Sequence, residues 1–317
     1  MDKVFFEQLE LPPARFNLDV GSGDHGKQTG VMLAGIERIL QSERPDVVLV
    51  EGDTNTVLAG ALAAVKLGIK VGHVEAGLRS YDRRMPEETN RILTDHCSDY
   101  LFAPTPRSKE ILLHEGIESD KIFMVGNTVV DAVCQNLGIA KSKSKALESL
   151  CVEPTKFILA TAHRAENVDD KARFSGLIAG LQRVQAEFGL PLIYPIHPRA
   201  KKQLESFGID AQGISLVEPL DYLGFLLLEG LAKLVLTDSG GVQEETCVLG
   251  VPCVTLRDNT ERPETIDVGS NMLAGTSPDR ILEATKIMAK RQKGWGNPFG
   301  DGKTAEKIIE ILKEKLR

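Results

Sequence analysis

A chain of 317 residues, 42% apolar and 26% charged, has the composition of a globular protein, and its length predicts two domains. A net charge of -7 and a pI near 5.5 argue against a basic nucleic-acid surface. No apolar run approaches the ~20 residues that span a bilayer, and the opening MDKVFFEQLELPP lacks the basic-then-apolar order of a secretory signal, so a cytoplasmic protein is expected.

The first thirty residues show no clear opening strand followed by a phosphate-binding turn. The first domain is therefore expected to begin in its middle, without one of its strands. Gly21-Ser22-Gly23-Asp24-His25-Gly26 matches G-x-G-x-x-G, but Pro13 to Val20 before it is not a strand pattern. A flexible loop lining a cleft is expected there rather than a dinucleotide fingerprint. From residue 30, helix-like and strand-like runs alternate. Val31 to Ser42 reads as a helix, Asp46 to Val50 as a strand, Val57 to Leu67 as a helix closed by Gly68, and Ile69 to Val74 as a strand. Glu87 to Cys97 follows as a helix and Tyr100 to Ala103 as a strand. After a break at Gly126 to Asp131 comes the polar, lysine-rich AKSKSKALES (Ala140 to Ser149), an exposed connection or loosely held helix. Strands resume at Phe157 to Ala162, Leu192 to Ile196, Ile214 to Val217, Leu234 to Thr237 and Cys253 to Leu256, and Lys303 to Leu316 is an amphipathic closing helix.

Short β-branched strands without polar alternation indicate parallel sheets covered on both faces. The expected fold is α/β, with two Rossmann-like doubly wound domains facing a cleft. The boundaries are an incomplete N-terminal domain over 1–135, a connection over 136–155, a C-terminal nucleotide-binding domain over 156–300 and a last helix over 301–317. Five cysteines (Cys97, Cys134, Cys151, Cys247, Cys253) form no CxxC pair and read as reduced thiols.

Polar side chains follow six strands: Asp53, Glu75, His163 with Arg164, His197, Asp238 with Ser239, and Arg257. Any one could be a core or capping group, and His197 is balanced between the two readings. All six together point to a polar cleft beyond the carboxyl ends of the strands. The densest stretch is Val71 to Arg91, where Glu75, Glu87 and Glu88 share a loop and helix start with Arg79, Asp82, Arg83 and Arg84. Asp53, Glu75, Glu87 and His163 are candidates for acid–base work, because crowded carboxylates separate in pKa and divide roles. Structural ion pairs with Arg79, Arg83, Arg84 or Arg91 compete with that reading.

Ser239-Gly240-Gly241-Val242-Gln243-Glu244-Glu245 is a glycine turn entering a helix, suited to a diphosphate at the helix N-terminus. Its competing reading is an Asp238 or Ser239 N-cap. Glu244-Glu245 one turn on suits ribose hydroxyls, and Arg262 and Arg164 are candidates for the phosphates. No zinc-ligand spacing, GxSxG or Walker sequence is present.

EGDTNTVLAGALAA, GHVEAGLRS, MPEETNR, TAHRAEN, YPIHP, LTDSGGVQEE, RDNTERPET and NPFGDGKTAEKI together resemble the non-hydrolysing UDP-N-acetylglucosamine 2-epimerases, from about Phe5 to the C-terminus. The resemblance implies two GT-B-like domains and interconversion of UDP-N-acetylglucosamine and UDP-N-acetylmannosamine, without metal or nicotinamide cofactor. UDP leaves to give 2-acetamidoglucal and then re-adds. By motif, Asp53, Glu75, Glu87 and His163 match catalytic positions, the proton-abstracting group among them left open. Arg164, Ser239, Gly240, Glu245 and Arg262 match UDP-binding positions, and Phe225 lies near the uracil position. His197 and Arg164 match a second, regulatory UDP-N-acetylglucosamine site. A homodimer and a last helix returning to the first domain are also implied.

The family's opening strand and GTRPE-type turn are not matched here, which predicts lower stability and activity than a full-length relative. Two alternatives stand beside the epimerase: a GT-B glycosyltransferase, and a UDP-sugar-binding remnant without turnover. The sugar itself is open, since related epimerases act on diacetamido uronic acids.

Overall fold

The structure, a computed structural model, describes Phe6, Gln8, Leu9 and residues 11–317. The expectation about the segment from Met1 lies partly outside these. Between Leu11 and Asp24 the chain is neither helix nor strand. Internal packing divides the chain into two units: residues 12–131 with 299–317, and residues 132–298 with the described residues before Pro12.

In the unit containing residues 12–131, strands β1 (Val47–Glu51), β2 (Lys70–Val74), β3 (Tyr100–Ala103) and β4 (Ile122–Met124) pair in parallel in that order. Helices α1 (His25–Glu43), α2 (Asn55–Lys66), α3 (Pro86–Cys97) and α4 (Pro106–His114) flank and connect them. Ala61, Ala63 and Ala64 of α2 pack with Val50, Val71 and Leu40 in one apolar layer. Small side chains there let helix and sheet approach closely.

Helix α1 begins six residues before the expected Val31. Asn55 donates to Gln28 (2.9 Å) and contacts the His25 ring (3.0 Å), tying its first turn to α2. The last two residues of the G-x-G-x-x-G match, His25 and Gly26, are thus helix, while Gly21 to Asp24 are not. The periodicity also passes over β4 and α4. A Thr105 cap, whose hydroxyl accepts from the Ser108 N–H at 3.2 Å just before Pro106, marks the start of α4.

The other unit holds six parallel strands in the order β10-β9-β8-β5-β6-β7. They are β5 (Ile158–Thr161), β6 (Leu192–Pro195), β7 (Ser215–Val217), β8 (Leu234–Thr237), β9 (Cys253–Thr255) and β10 (Asn271–Leu273), the last not anticipated from sequence. Both faces are covered. Ile158, Ala160, Tyr194 and Leu236 enter one core cluster, while Phe157, Leu159, Ile193 and Val235 enter the other.

Of the two readings of Ala140 to Ser149, exposed connection or loosely held helix, the helical one holds: α5 (Thr128–Lys143) ends within it and α6 (Ala146–Leu150) follows. Apolar residues at helical spacing lie beneath the lysines. Ala140 packs against Leu223 and Leu227, with Ile139 and Leu147 alongside. Among the described residues no helix is long and apolar enough to cross a membrane.

The final helix, α14 (Thr304–Lys315), belongs to the four-stranded unit. Its Ile308 and Leu312, one turn apart, pack with Val74, Phe102 and Val125. Asp131 fixes its start, accepting from the N–H groups of Thr304 (3.1 Å) and Ala305 (3.0 Å). Asp131→Ala is expected to cost about 1–2 kcal/mol, as loss of a helix cap does. Urea unfolding would show a lower midpoint, with proteolysis at 304–315 appearing first.

Candidate active site

Because each sheet is parallel, the carboxyl ends of its strands share one edge, where ligands of such sheets sit. In the four-stranded unit Asp53 lies two residues past β1, Glu75 directly follows β2, and Glu87 stands in the first turn of α3. Asp53 accepts from Arg91 Nη1 at 2.7 Å, and its backbone carbonyl accepts from Asn90 at 2.9 Å. Glu75 is half-buried with φ +70°, a left-handed state that a non-glycine residue adopts only when its surroundings impose it. Glu87 borders a cavity of about 270 Å³ lined also by His25, Gln28, Asn55 and Asn90.

The neighbouring acid Glu88 has a different job. It is buried and accepts from the Ser80 N–H (2.9 Å), the Ser80 hydroxyl (3.0 Å), the Tyr81 N–H (2.9 Å) and the Arg91 guanidinium (2.8 Å). Burial works against its charge, yet the Ser80 N–H and Arg91 hold its pKa below the ordinary glutamate value. Arg91 thus joins Glu88 to Asp53 and fixes the loop over the acids.

Under this loop lies a charge cluster that the sequence reading did not single out. His73 is fully buried, with Nδ1 2.6 Å from Asp95 and Nε2 2.9 Å from the Gly52 carbonyl. Both neighbours are acceptors, so both ring nitrogens must donate and the ring is an imidazolium. Burial opposes that charge, but Asp95 and the Gly52 carbonyl raise the His73 pKa overall. Asp95 also accepts from the Gly77 N–H (3.1 Å) and pairs with Arg79 (2.7 Å), which forks onto Glu115 at 2.9 and 2.6 Å. Gly77 is required: φ is +83°, and a Cβ would lie 2.3 Å from the Ser108 carbonyl oxygen. A histidine inside an apolar strand, with an aspartate on the next helix, was the available sequence signal.

The six-stranded unit is organised by Asp238, which has no exposed surface. Its carboxylate accepts from the N–H groups of His163 (3.1 Å) and Arg164 (3.0 Å) and from the Asn167 amide (3.1 Å). The His163 ring lies 3.5 Å from the same carboxylate. The buried Tyr194 hydroxyl holds the preceding turn by donating to the Ala162 carbonyl at 2.6 Å. His197 is exposed and caps helix α9 (Pro198–Phe207), its Nδ1 accepting from the Arg199 N–H at 3.2 Å. Its ring centroid is 6.0 Å from that of His163, and partial burial, with His163 and Arg199 adding to it, lowers its pKa.

Ser239 and Gly240 open helix α11 (Gly240–Leu249), and Gly241 is exposed in its first turn. Neither competing cap is present. Ser239 makes no side-chain cap bond, and Asp238 turns to the His163 loop instead. A Cβ on Gly240 would lie 2.5 Å from Glu261 Oε1, so the backbone comes close to that acid. Glu261 pairs with Arg257 (2.8 Å) and Arg164 (3.3 Å). Burial opposes its charge, but Arg262, Arg257 and Arg164 bring its pKa to about 2.

Two sequence readings need correction here. Arg257 is fully buried between Glu261 and Glu166 and so holds the loop rather than facing a ligand. Glu244 is buried in an ion pair with Arg262 (2.7 Å) and so is not available to a ribose. Arg262 is itself mostly buried by that pair. Phe225, half-buried on α10 (Tyr222–Leu231), packs against the cluster containing Leu159 and Val242. Among the described residues, no three His, Cys, Asp or Glu side chains are placed to hold a metal ion.

Two parallel doubly wound units, one with acids beyond its strands and the other with a glycine-led helix start, define a GT-B-like nucleotide-sugar protein. Residues 1–313 match the family described as UDP-N-acetylglucosamine 2-epimerase, and the chain belongs to that family. It is 54% identical to a UDP-N-acetylglucosamine 2-epimerase of Methanocaldococcus jannaschii, over 98% of this chain and 87% of that one. A crystal structure of the M. jannaschii UDP-GlcNAc 2-epimerase in complex with UDP-GlcNAc and UDP superposes with a TM-score of 0.92, covering 99% of this chain and 88% of that one. A UDP-2,3-diacetamido-2,3-dideoxy-D-glucuronate 2-epimerase of Pseudomonas aeruginosa is 42% identical over 98% of this chain and 87% of its own length.

The buried histidine generates a pH prediction. Its folded pKa is raised above the ordinary 6.5, so its stabilisation is complete below 6.5 and is lost as pH rises through the higher folded value. His73→Gln should lower stability by roughly 3 kcal/mol at pH 6, as breaking a buried ion pair does. It should also flatten the decline in urea midpoint on the alkaline side.

Proposed function

We propose that this chain interconverts UDP-N-acetylglucosamine and UDP-N-acetylmannosamine. The observation that carries this reading is the set Asp53, Glu75 and Glu87 at one sheet edge, in a chain of this family. A glycosyltransferase needs a nucleotide site and an acceptor site, and has no use for such an acid set.

One of these carboxylates takes the proton from carbon 2. The carbon 1–oxygen bond breaks with its electron pair going to the UDP β-phosphate, and a carbon 1–carbon 2 double bond forms. The 2-acetamidoglucal then turns its other face to a protonated acid. Carbon 2 regains a proton with inverted configuration as the UDP oxygen re-forms its bond to carbon 1. Asp53, held in direction by Arg91, and Glu87, which borders open space, are the two proton carriers in this reading. Glu75 and His163 stabilise the cationic sugar and the departing phosphate.

On the nucleotide side, Arg164, Arg262 and the N–H groups from Ser239 to Gly241 receive the diphosphate, where a helix N-terminus favours negative charge. Glu245 takes the ribose hydroxyls, and Phe225 stacks near the uracil. His197 and Arg164 also serve a second, regulatory UDP-N-acetylglucosamine. The working form is a cytoplasmic homodimer, in keeping with five cysteines that are all free.

Turnover in heavy water tests the chemistry. Proton NMR should show deuterium entering carbon 2 of both sugars with no acceptor present. Asp53→Asn and Glu87→Gln should each lower kcat by about 10²–10⁴-fold, the range for loss of a proton-transfer group. Affinity for UDP should stay near its original value. Isomerisation without deuterium uptake would sink the mechanism, and exclusive turnover of a diacetamido uronic acid would sink the substrate assignment.

A further inference from the structure

Behind Glu245 lies another acid, one that the reaction above does not use. Glu229 on α10 has no exposed surface, and no N–H or hydroxyl of a described residue donates to either of its carboxyl oxygens; the group it meets is the carboxyl of Glu245 on α11. Its neighbour in the helix, Leu228, belongs to a buried apolar cluster with Val235, Val242 and Val251. The titratable groups that bear on it are Glu245 on α11, Tyr222 on its own helix and Cys253 on β9. None of these is a cation.

An ionised carboxyl in such a place is strongly disfavoured, so Glu229 keeps its proton. Burial first, and the charge of Glu245 second, carry its pKa well above the ordinary glutamate value. Burial also raises Glu245, to about 7, while the Tyr222 hydroxyl and Glu229 favour its charged form. A protonated carboxyl has one O–H to give, and Glu245 is the acceptor facing it.

We infer that Glu229 is a positioning residue for nucleotide binding: as a neutral acid it donates a hydrogen bond to the Glu245 carboxylate and fixes the direction in which Glu245 meets the ribose hydroxyls of a uridine diphosphate. The inference rests on Glu245 as the ribose contact. The Tyr222 hydroxyl also hydrogen-bonds the Glu245 carboxylate.

Calorimetry of the whole chain with UDP and with 2′,3′-dideoxy-UDP tests this, because only the first presents ribose hydroxyls. Glu229→Leu removes the donor while suiting the apolar pocket, so its melting temperature should not fall. It should bind UDP roughly tenfold more weakly, the scale of one hydrogen bond to a charged group. Its affinity for 2′,3′-dideoxy-UDP should be unchanged, and in turnover KM should rise while kcat holds. Glu229→Gln keeps an N–H for Glu245 and should restore the preference for UDP.

Unchanged UDP preference in Glu229→Leu overturns the inference alone, as does equal weakening of both ligands or failure of Glu229→Gln to rescue. Equal affinity of the unaltered protein for the two nucleotides overturns the ribose contact as well.

Discussion

Asp238 is fully buried, and the loop after β5 hangs on its carboxylate. Two backbone N–H groups and the Asn167 amide converge there, so the direction of His163 and Arg164 is decided by an acid that need not touch a ligand. A buried carboxylate demands this many donors, because each unmet lone pair would carry a desolvation cost. Its requirement draws the ends of β5 and β8 together. Arg164 then reaches Glu261, whose other partner, Arg257, anchors the loop after β9. Adjacent strand ends are thus joined by charge rather than by apolar contact.

The four-stranded unit uses the same physics with different residues. His73, Asp95, Arg79 and Glu115 form a buried chain of alternating charge. Replacing such a chain by well-packed apolar residues often costs nothing in stability, whereas removing a single member is expensive. What it supplies here is direction: the Gly52 carbonyl and the Gly77 N–H are both held by it. Those two groups flank Asp53 and Glu75 in sequence. In the reaction proposed above these acids handle protons, work that needs fixed geometry more than local stability.

Much of the sheet framework was legible in the sequence, since β-branched runs bounded by polar residues mark buried parallel strands. The three-residue strands were read unevenly: β7 and β9 were found and β4 and β10 were not, and α1 starts at His25 after an Asp24 that makes no side-chain cap bond. The lysines of AKSKSKALES left the choice between connection and loose helix open and hid how firmly the helix is anchored, its Ala140 being fully buried. Strand-end position was enough to draw attention to Asp53, Glu75 and His163. Glu87 was singled out over Glu88 from sequence, and the resemblance pointed to Glu245 over Glu244. What sequence could not supply is the physical difference, since Ser80, Arg91 and Arg262 are partners that tertiary packing brings to Glu88 and Glu244. His73 was passed over because a single histidine in a strand is silent until its two acceptors are seen.

The last helix has a consequence for how the molecule is made. Ile308 and Leu312 complete the apolar layer against Val74, Phe102 and Val125, and Asp131 caps the helix that carries them. On a ribosome, residues 12–131 emerge long before residue 304. For an interval on the order of tens of seconds, one face of that sheet stands open while the six-stranded unit is synthesised and can already fold. Assembly of this protein therefore does not run from first residue to last: the half that emerges early is finished by the segment that emerges at the end.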